Sequence, residues 1–286
     1  MVKYFFIGLL LYAFFSLIKS LLVFLVSKYY KEAYVDNVDF DFKVFFFEAI
    51  AYSFIFSGFG MIDDFRSTNE RYSILASVFL ITLVPTYAFV ISPLRFLFLN
   101  KKYLSDINLN QLVASEALNY KIRVIDANVI NAYATGILPF TKTILIGKPL
   151  VNSLSEIELK SIIFHEIGHL HKKHLSKLYF VSILVVVFSY FIFLLRSKFQ
   201  FGNELLNIAS IGLVGAMMGL LIWIIPGRIQ HQFEYEADLF SCRKNGRKNL
   251  IDALEKLDAL SNGEVSKGGI SHPTLSKRIQ KLNGEL

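Results

Sequence analysis

Residues 165–169 read His165-Glu166-Ile167-Gly168-His169. Positions four apart on a helix share one face, so the two imidazoles can grip a single metal ion. The glutamate between them can act as a base on a water that the metal activates. Such a pattern nominates a zinc-dependent peptide hydrolase. The neighbours Ile162, Ile163, Phe164, Ile167 and Leu170 are apolar. Burying two imidazoles and a carboxylate among them without a partner is costly, and a metal removes that cost. The bland alternative is a pair of packed or exposed histidines on an amphipathic helix.

A zinc site that keeps an open catalytic position needs a third protein ligand. Glu234-Tyr235-Glu236-Ala237-Asp238 offers one: Glu234 and Asp238 share a helix face. Glu234 can ligate, and Asp238 can accept a hydrogen bond from a ligand histidine. An ordinary charged helix face is the alternative. Glu236, about 200° around the helix from Glu234, should point away from the metal. His171 and His174 follow the signature beside Lys172 and Lys173 and read as solvated interfacial residues. His231, three residues before Glu234, could reach the site.

The elements that must position these residues are set in a strongly apolar chain. Of its 286 residues 54% are hydrophobic, and the mean hydropathy is +0.48, which implies several membrane spans. Twenty-eight Phe and fourteen Tyr suit interfacial aromatic belts. Five apolar segments stand out: Tyr4–Ser27, Val44–Ile62, Ser73–Leu99, Leu178–Leu195 and Leu205–Pro226. Each is long enough to cross a bilayer, with the second the weakest. The first is too long for a signal-peptide core and is expected to stay as an anchor. Lys19, Glu48 and Arg95 are ionisable residues within apolar segments. Glu48 and Arg95 are near segment ends and can snorkel, which leaves Lys19 as the functional candidate. The single Cys242 excludes an internal disulfide and a cysteine-based metal cluster. The net charge of +7 is read as basic flanks that set topology and touch the lipid bilayer, with no nucleic acid as partner.

The expected organisation is an N-terminal transmembrane region (1–99, two or three spans), the first part of a catalytic domain (100–177), a transmembrane hairpin (178–226) and the second part of that domain (227–286). Two spans separate the catalytic parts, so they lie on one side of the membrane. Together they hold 20 of the 30 Lys and Arg residues, which places that side in the cytoplasm. Within the first part, 109–118 is helical in pattern, 122–125 and 130–133 read as short strands, and 143–146 follows a turn around Gly136–Pro139. Ser155 with Glu158 forms a capping box that opens the helix carrying His165.

At these residues the chain resembles the membrane zinc metalloproteases of the HtpX family, whose superfamily includes the CaaX-processing prenyl-protein endopeptidases. The matching pieces occur in the family's order over about residues 100–286: Asn131-Ala132-Tyr133-Ala134-Thr135-Gly136, the stretch Leu159–His174, Glu234-Tyr235-Glu236-Ala237-Asp238, and His272-Pro273 with Arg278-Ile279. The resemblance implies one zinc ion on His165, His169 and Glu234, with Glu166 as general base and acid. It implies that His272, ranked above His231, stabilises the oxyanion and that Arg278 braces the carboxylates of the site. It further implies that Asn131, Ala132, Tyr133, Ala134 and Gly136 form an edge that pairs with substrate. Where HtpX-like members often carry Ser-Arg before the ligand glutamate, this chain has Gln230-His231. Its three N-terminal apolar segments also differ from the two usual in those relatives.

The expected fold is a mainly α-helical integral membrane protein of four or five transmembrane helices, with a cytoplasm-facing zincin-like (gluzincin) α+β catalytic domain. The resemblance places it as a multi-pass protein in the plasma (inner) membrane of a bacterium. Its expected partners are polypeptide substrates, above all membrane proteins in quality control. The rival readings are a dedicated CaaX-type processing protease, a catalytically silent zinc-binding scaffold and a transporter. The intact Glu166 argues against the scaffold, and no paired broken-helix pattern supports the transporter.

Overall fold

The computed structural model describes residues 5–10, 12–14, 49, 50, 53, 57, 58, 70–94, 103–105, 109, 111, 120–126 and 128–284. Most of the first two apolar segments, with Lys19 and Glu48, and most of the expected 109–118 helix lie outside these residues. The chain divides into two compact units, Met1–Val84 and Pro85–Leu286. In the first unit, Ser53 donates to the Ala49 carbonyl at 2.6 Å and Ser57 to the Ser53 carbonyl at 2.8 Å. This bonding to the carbonyl four residues back leaves neither buried hydroxyl with an unpaired donor.

Helix α1 (Glu70–Thr86) runs into a π-helical turn at Tyr87–Ile91, just after Pro85, whose ring nitrogen cannot donate to the helix ladder. Among the described residues three helices are long and apolar enough to cross a membrane: Tyr72–Leu94, His174–Ser197 and Glu204–Asn245. The chain is thus a multi-pass membrane protein.

The second unit carries a small mixed sheet of β1 (Tyr103–Ser105), β2 (Lys121–Ile125), β3 (Ala132–Thr135) and β4 (Thr143–Gly147), in the order β1-β2-β4-β3. β1 was not foreseen, and β3 lies two residues beyond the expected 130–133. The central β4 is buried along its length and pairs in parallel with β2 and antiparallel with β3, with Tyr133 opposite Leu145. β3 is therefore an edge strand. Its Tyr133 faces solvent while Ala132 is buried.

A short helix α2 (Lys148–Ser153) leads to α3 (Glu156–His171), which carries the signature. Its N-terminus is fixed by the expected capping box: Ser155 Oγ accepts from Glu158 N, and Ser155 N donates to Glu158 Oε2 at 2.7 Å. α4 (His174–Ser197) and α5 (Glu204–Asn245) form the hairpin, followed by α6 (Arg247–Leu260), α7 (Glu264–Lys267) and α8 (Leu275–Gly284). The core of this unit joins β2, β4, α3, α6 and α8 through Ile122, Ile144, Ile163, Phe164, Leu250, Leu254 and Leu282.

α5 is 42 residues long and continuous through Pro226. Its first half is apolar and exposed, and its second half packs along α3. The two helices approach closely at Gly168. A Cβ there would lie 3.0 Å from Ala237 Cα, so the glycine of the signature lets the backbones close. Polar ties complete the seam: Ser241 donates to the Ser161 carbonyl at 2.7 Å and Asn245 to the Ile157 carbonyl at 2.8 Å.

Candidate metal centre

Packing of α3 against α5 brings His165, His169 and Glu234 together. The Nε2 atoms of the two histidines are 3.2 Å apart. Glu234 Oε2 lies 3.4 Å from His165 Nε2, and Glu234 Oε1 lies 3.4 Å from His169 Nε2. A tetrahedral zinc ion with bonds of about 2.05 Å needs its ligand atoms about 3.3 Å apart. The two imidazole nitrogens have that spacing, each faces one Glu234 oxygen at a similar distance, and one ligand atom from each residue lies within 4.8 Å of the other two; this donor triangle fits zinc. All three side chains are largely buried, and Glu234 is only 2% exposed. Glu166 is also buried, one residue along α3 from His165.

His165 is held from behind by charge. Its Nδ1 lies 2.9 Å from Asp238 Oδ1, and Asp238 receives a two-pronged hydrogen bond from Arg278, with Nε at 2.8 Å from Oδ2. Both Asp238 and Arg278 are buried. Burial alone would lower the His165 pKa, but hydrogen bonds and charge from Asp238 and Glu234 overcome it and raise it to about 10. Burial pushes Glu234 up, yet hydrogen bonds from His165, His169 and His272 hold its carboxyl well below the usual range. Burial likewise opposes ionisation of Asp238, and Arg278 overrides it to keep that carboxyl low.

His169 has a different support. Its Nδ1 is 3.1 Å from Nδ1 of His174, and His174 Nε2 is 3.1 Å from Glu236 Oε2. His174 is fully buried and stacks on Phe233 at 4.3 Å with the rings 3° from parallel. This corrects one expectation: His174 is buried, not solvated. Glu236 lies outside the donor triangle, as its angle on the helix requires, and reaches the site only through His174. A regular helix would carry His174 about 140° away from His169. The chain avoids this because Lys173 adopts φ 56°, in the left-handed region, and so breaks α3 from α4. His171 instead lies beside the Phe240 ring, 5.3 Å away.

His272 stands at the open side of the site, 54% exposed, with Nδ1 3.2 Å from Glu234 Oε1. Thr274 caps α8 behind it, accepting from Lys277 N at 3.4 Å, and α8 carries Arg278 back into the core. The His272 loop is pinned to α5 twice. His231 Nε2 is 3.0 Å from the Gly269 carbonyl, and a Cβ on Gly227 would lie 2.3 Å from Ile270 Cγ2. His231 thus props the loop and does not join the donor triangle. On the edge strand, Asn131 Oδ1 accepts from Ala132 N at 2.9 Å, and the Asn131 carbonyl accepts from Gly147 N at 2.9 Å. Ala134 is half-buried, and Gly136 takes φ 84° where the chain turns beneath Thr141.

The profile of peptidase family M48 matches residues 99–286. The chain is 26% identical over 179 residues to Protease HtpX of Haemophilus influenzae, a match covering 54% of this chain and 62% of that protein. It is 32% identical over 184 residues to CAAX prenyl protease 1 of Saccharomyces cerevisiae, covering 54% of this chain and 40% of that protein. Both matches span less than two thirds of the relative's length. The crystal structure of S. mikatae Ste24p superposes with a TM-score of 0.67 at 22% identity, covering 96% of this chain and 76% of that one, which shows a shared fold.

Proposed function

Because the chain belongs to peptidase family M48, with His165, His169 and Glu234 as its zinc site, we propose that it is a membrane-bound endopeptidase that hydrolyses membrane or membrane-proximal polypeptides. The observation that carries this reading is the zinc-sized donor triangle with Glu166 on the same helix turn and an edge strand packed near α3.

Zinc at this site supplies a Lewis acid that acidifies a water and polarises the scissile carbonyl. Glu166 takes a proton from the attacking water and delivers it to the leaving amine. His272, exposed at the open side, donates to the oxygen on which negative charge develops. Asp238 and Arg278 hold the His165 ring in place. An extended substrate adds as a strand beside Asn131–Gly136, which reads backbone more than side chains and suits the broad specificity of quality control.

The catalytic half is oriented to the cytoplasm, in the plasma (inner) membrane of a bacterium. The charge bias of residues 100–177 and 227–286 supports the orientation, and the Haemophilus influenzae relative supports a bacterial source. A topology reporter fused after Leu286 should read as cytoplasmic; an external reading would overturn the orientation.

The defining test is Glu166→Gln, assayed in detergent on casein and on a prenylated CaaX peptide. The amide cannot accept the proton, so turnover should drop at least about a hundredfold with zinc content unchanged. A zinc-loaded variant that keeps most of its activity would sink the mechanism. A second reading, a dedicated CaaX-type processing protease, draws on the 32% identity to the yeast CAAX prenyl protease 1. Cleavage of the prenylated peptide alone would select it. A zinc-loaded wild-type protein that cleaves neither would leave a silent scaffold.

A further inference from the structure

The two zinc-binding histidines present the same Nε2 face to the donor triangle but lean on different partners. For His169 to offer the Nε2 lone pair, its proton must sit on Nδ1. That proton points at His174 Nδ1, 3.1 Å away, which must then accept. A neutral His174 accepting at Nδ1 carries its own proton on Nε2, and Glu236 Oε2 lies 3.1 Å from that atom as acceptor. One set of tautomers therefore satisfies every atom from Glu236 to the zinc site. The stack on Phe233 sets the plane of the buried His174 ring, and the contacts to His169 and Glu236 select which edge faces each partner.

We propose that His174 and Glu236 are positioning residues that fix the tautomer and ring orientation of His169 for metal binding. The pair also joins the head of α4 to α5 directly behind the ligand, so the start of the membrane hairpin is built into the metal site. The inference rests on the zinc reading of the site but not on what is cleaved.

The test measures zinc affinity of purified full-length protein in detergent by chelator competition, alongside the visible spectrum of the cobalt(II)-substituted protein. His174→Phe preserves a ring to stack on Phe233 but removes both nitrogens. His174→Asn loses the stack yet restores an acceptor near the Nδ1 position. Outer partners of this kind typically contribute 10- to 100-fold in metal affinity, so His174→Phe should weaken zinc by about that factor and alter the cobalt spectrum. His174→Asn should lie closer to wild type on both readouts. Wild-type affinity in the Phe variant would overturn the proposal. Equal weakening in the Phe and Asn variants would also overturn it, because packing and not the acceptor would then be at work. If the Phe variant does not fold, Glu236→Ala at its half-exposed site decides: a several-fold loss of zinc affinity supports the relay, and an unchanged affinity refutes it.

Discussion

The two sides of the metal site solve one problem with different chemistry. On the α8 side, His165 is backed by a buried carboxylate and a buried guanidinium, a full charge pair inside the protein. On the α4 side, His169 is backed by an imidazole, and the first charge is Glu236, 43% exposed at the edge of the structure. The ionic support depends on both partners being present, since either alone is an uncompensated charge in the core. The His169 support ends in a group that water can serve. The first side should therefore be brittle and the second tolerant.

Arg278→Ala should break the brittle side most severely. It leaves Asp238 buried beside His165 without its cation and should cost about 3–5 kcal/mol of stability, enough to lower the yield of folded protein sharply. Thermal unfolding of metal-free and zinc-loaded samples checks this; a loss below about 1 kcal/mol would mean that water reaches Asp238 and that the pair is not sealed.

A smaller effect follows from the raised pKa of His165 in the metal-free protein. Its ordinary value is 6.5 and its folded value about 10, so its proton stabilises the folded metal-free state fully below about pH 6.5. That contribution is lost as pH rises towards 10. Zinc takes the place of the same proton, so its binding tightens over that range. The gap in Tm between zinc-loaded and chelator-treated protein should widen from pH 6.5 to 9.5. A constant gap would show that His165 is already neutral before metal binds.

The smallest effect should come from Glu236→Ala on stability. The pair is part-exposed, and its loss should cost no more than about 1 kcal/mol in thermal unfolding. A cost as large as that of Arg278→Ala would erase the contrast between the two supports.

Much of this site was legible in the sequence because its spacings are helical. His165 and His169 lie four apart, as do Glu234 and Asp238, and a regular helix makes each pair neighbours. The capping box of α3 was legible for the same reason: the contact is local. His174 was not, because its place depends on Lys173 taking a left-handed conformation that no residue type there demands. Glu236 was hidden behind a correct angular argument: it does face away from the metal, and only the course of α4 gives it a partner. The prop from His231 to Gly269 is a contact 38 residues apart in the chain, which no periodicity encodes. The offset of β3 has a similar cause. Ile130 and Asn131 fit a strand by residue type, yet the register with β4 runs from Ala132, opposite Ile146, to Thr135, and Asn131 adds only its carbonyl, which accepts from Gly147 N.

The uninterrupted course of α5 has a mechanical consequence. The middle of its apolar segment lies about 27 Å along the rod from Glu234, at 1.5 Å per residue. A bilayer whose thickness tilts that rod by about 10° swings Glu234 through about 5 Å. The glutamate cannot travel alone, because it sits 3.4 Å from His165 and from His169 on α3. The whole protease half must turn with its stem, so lipid thickness sets the angle at which the metal site stands to the membrane surface.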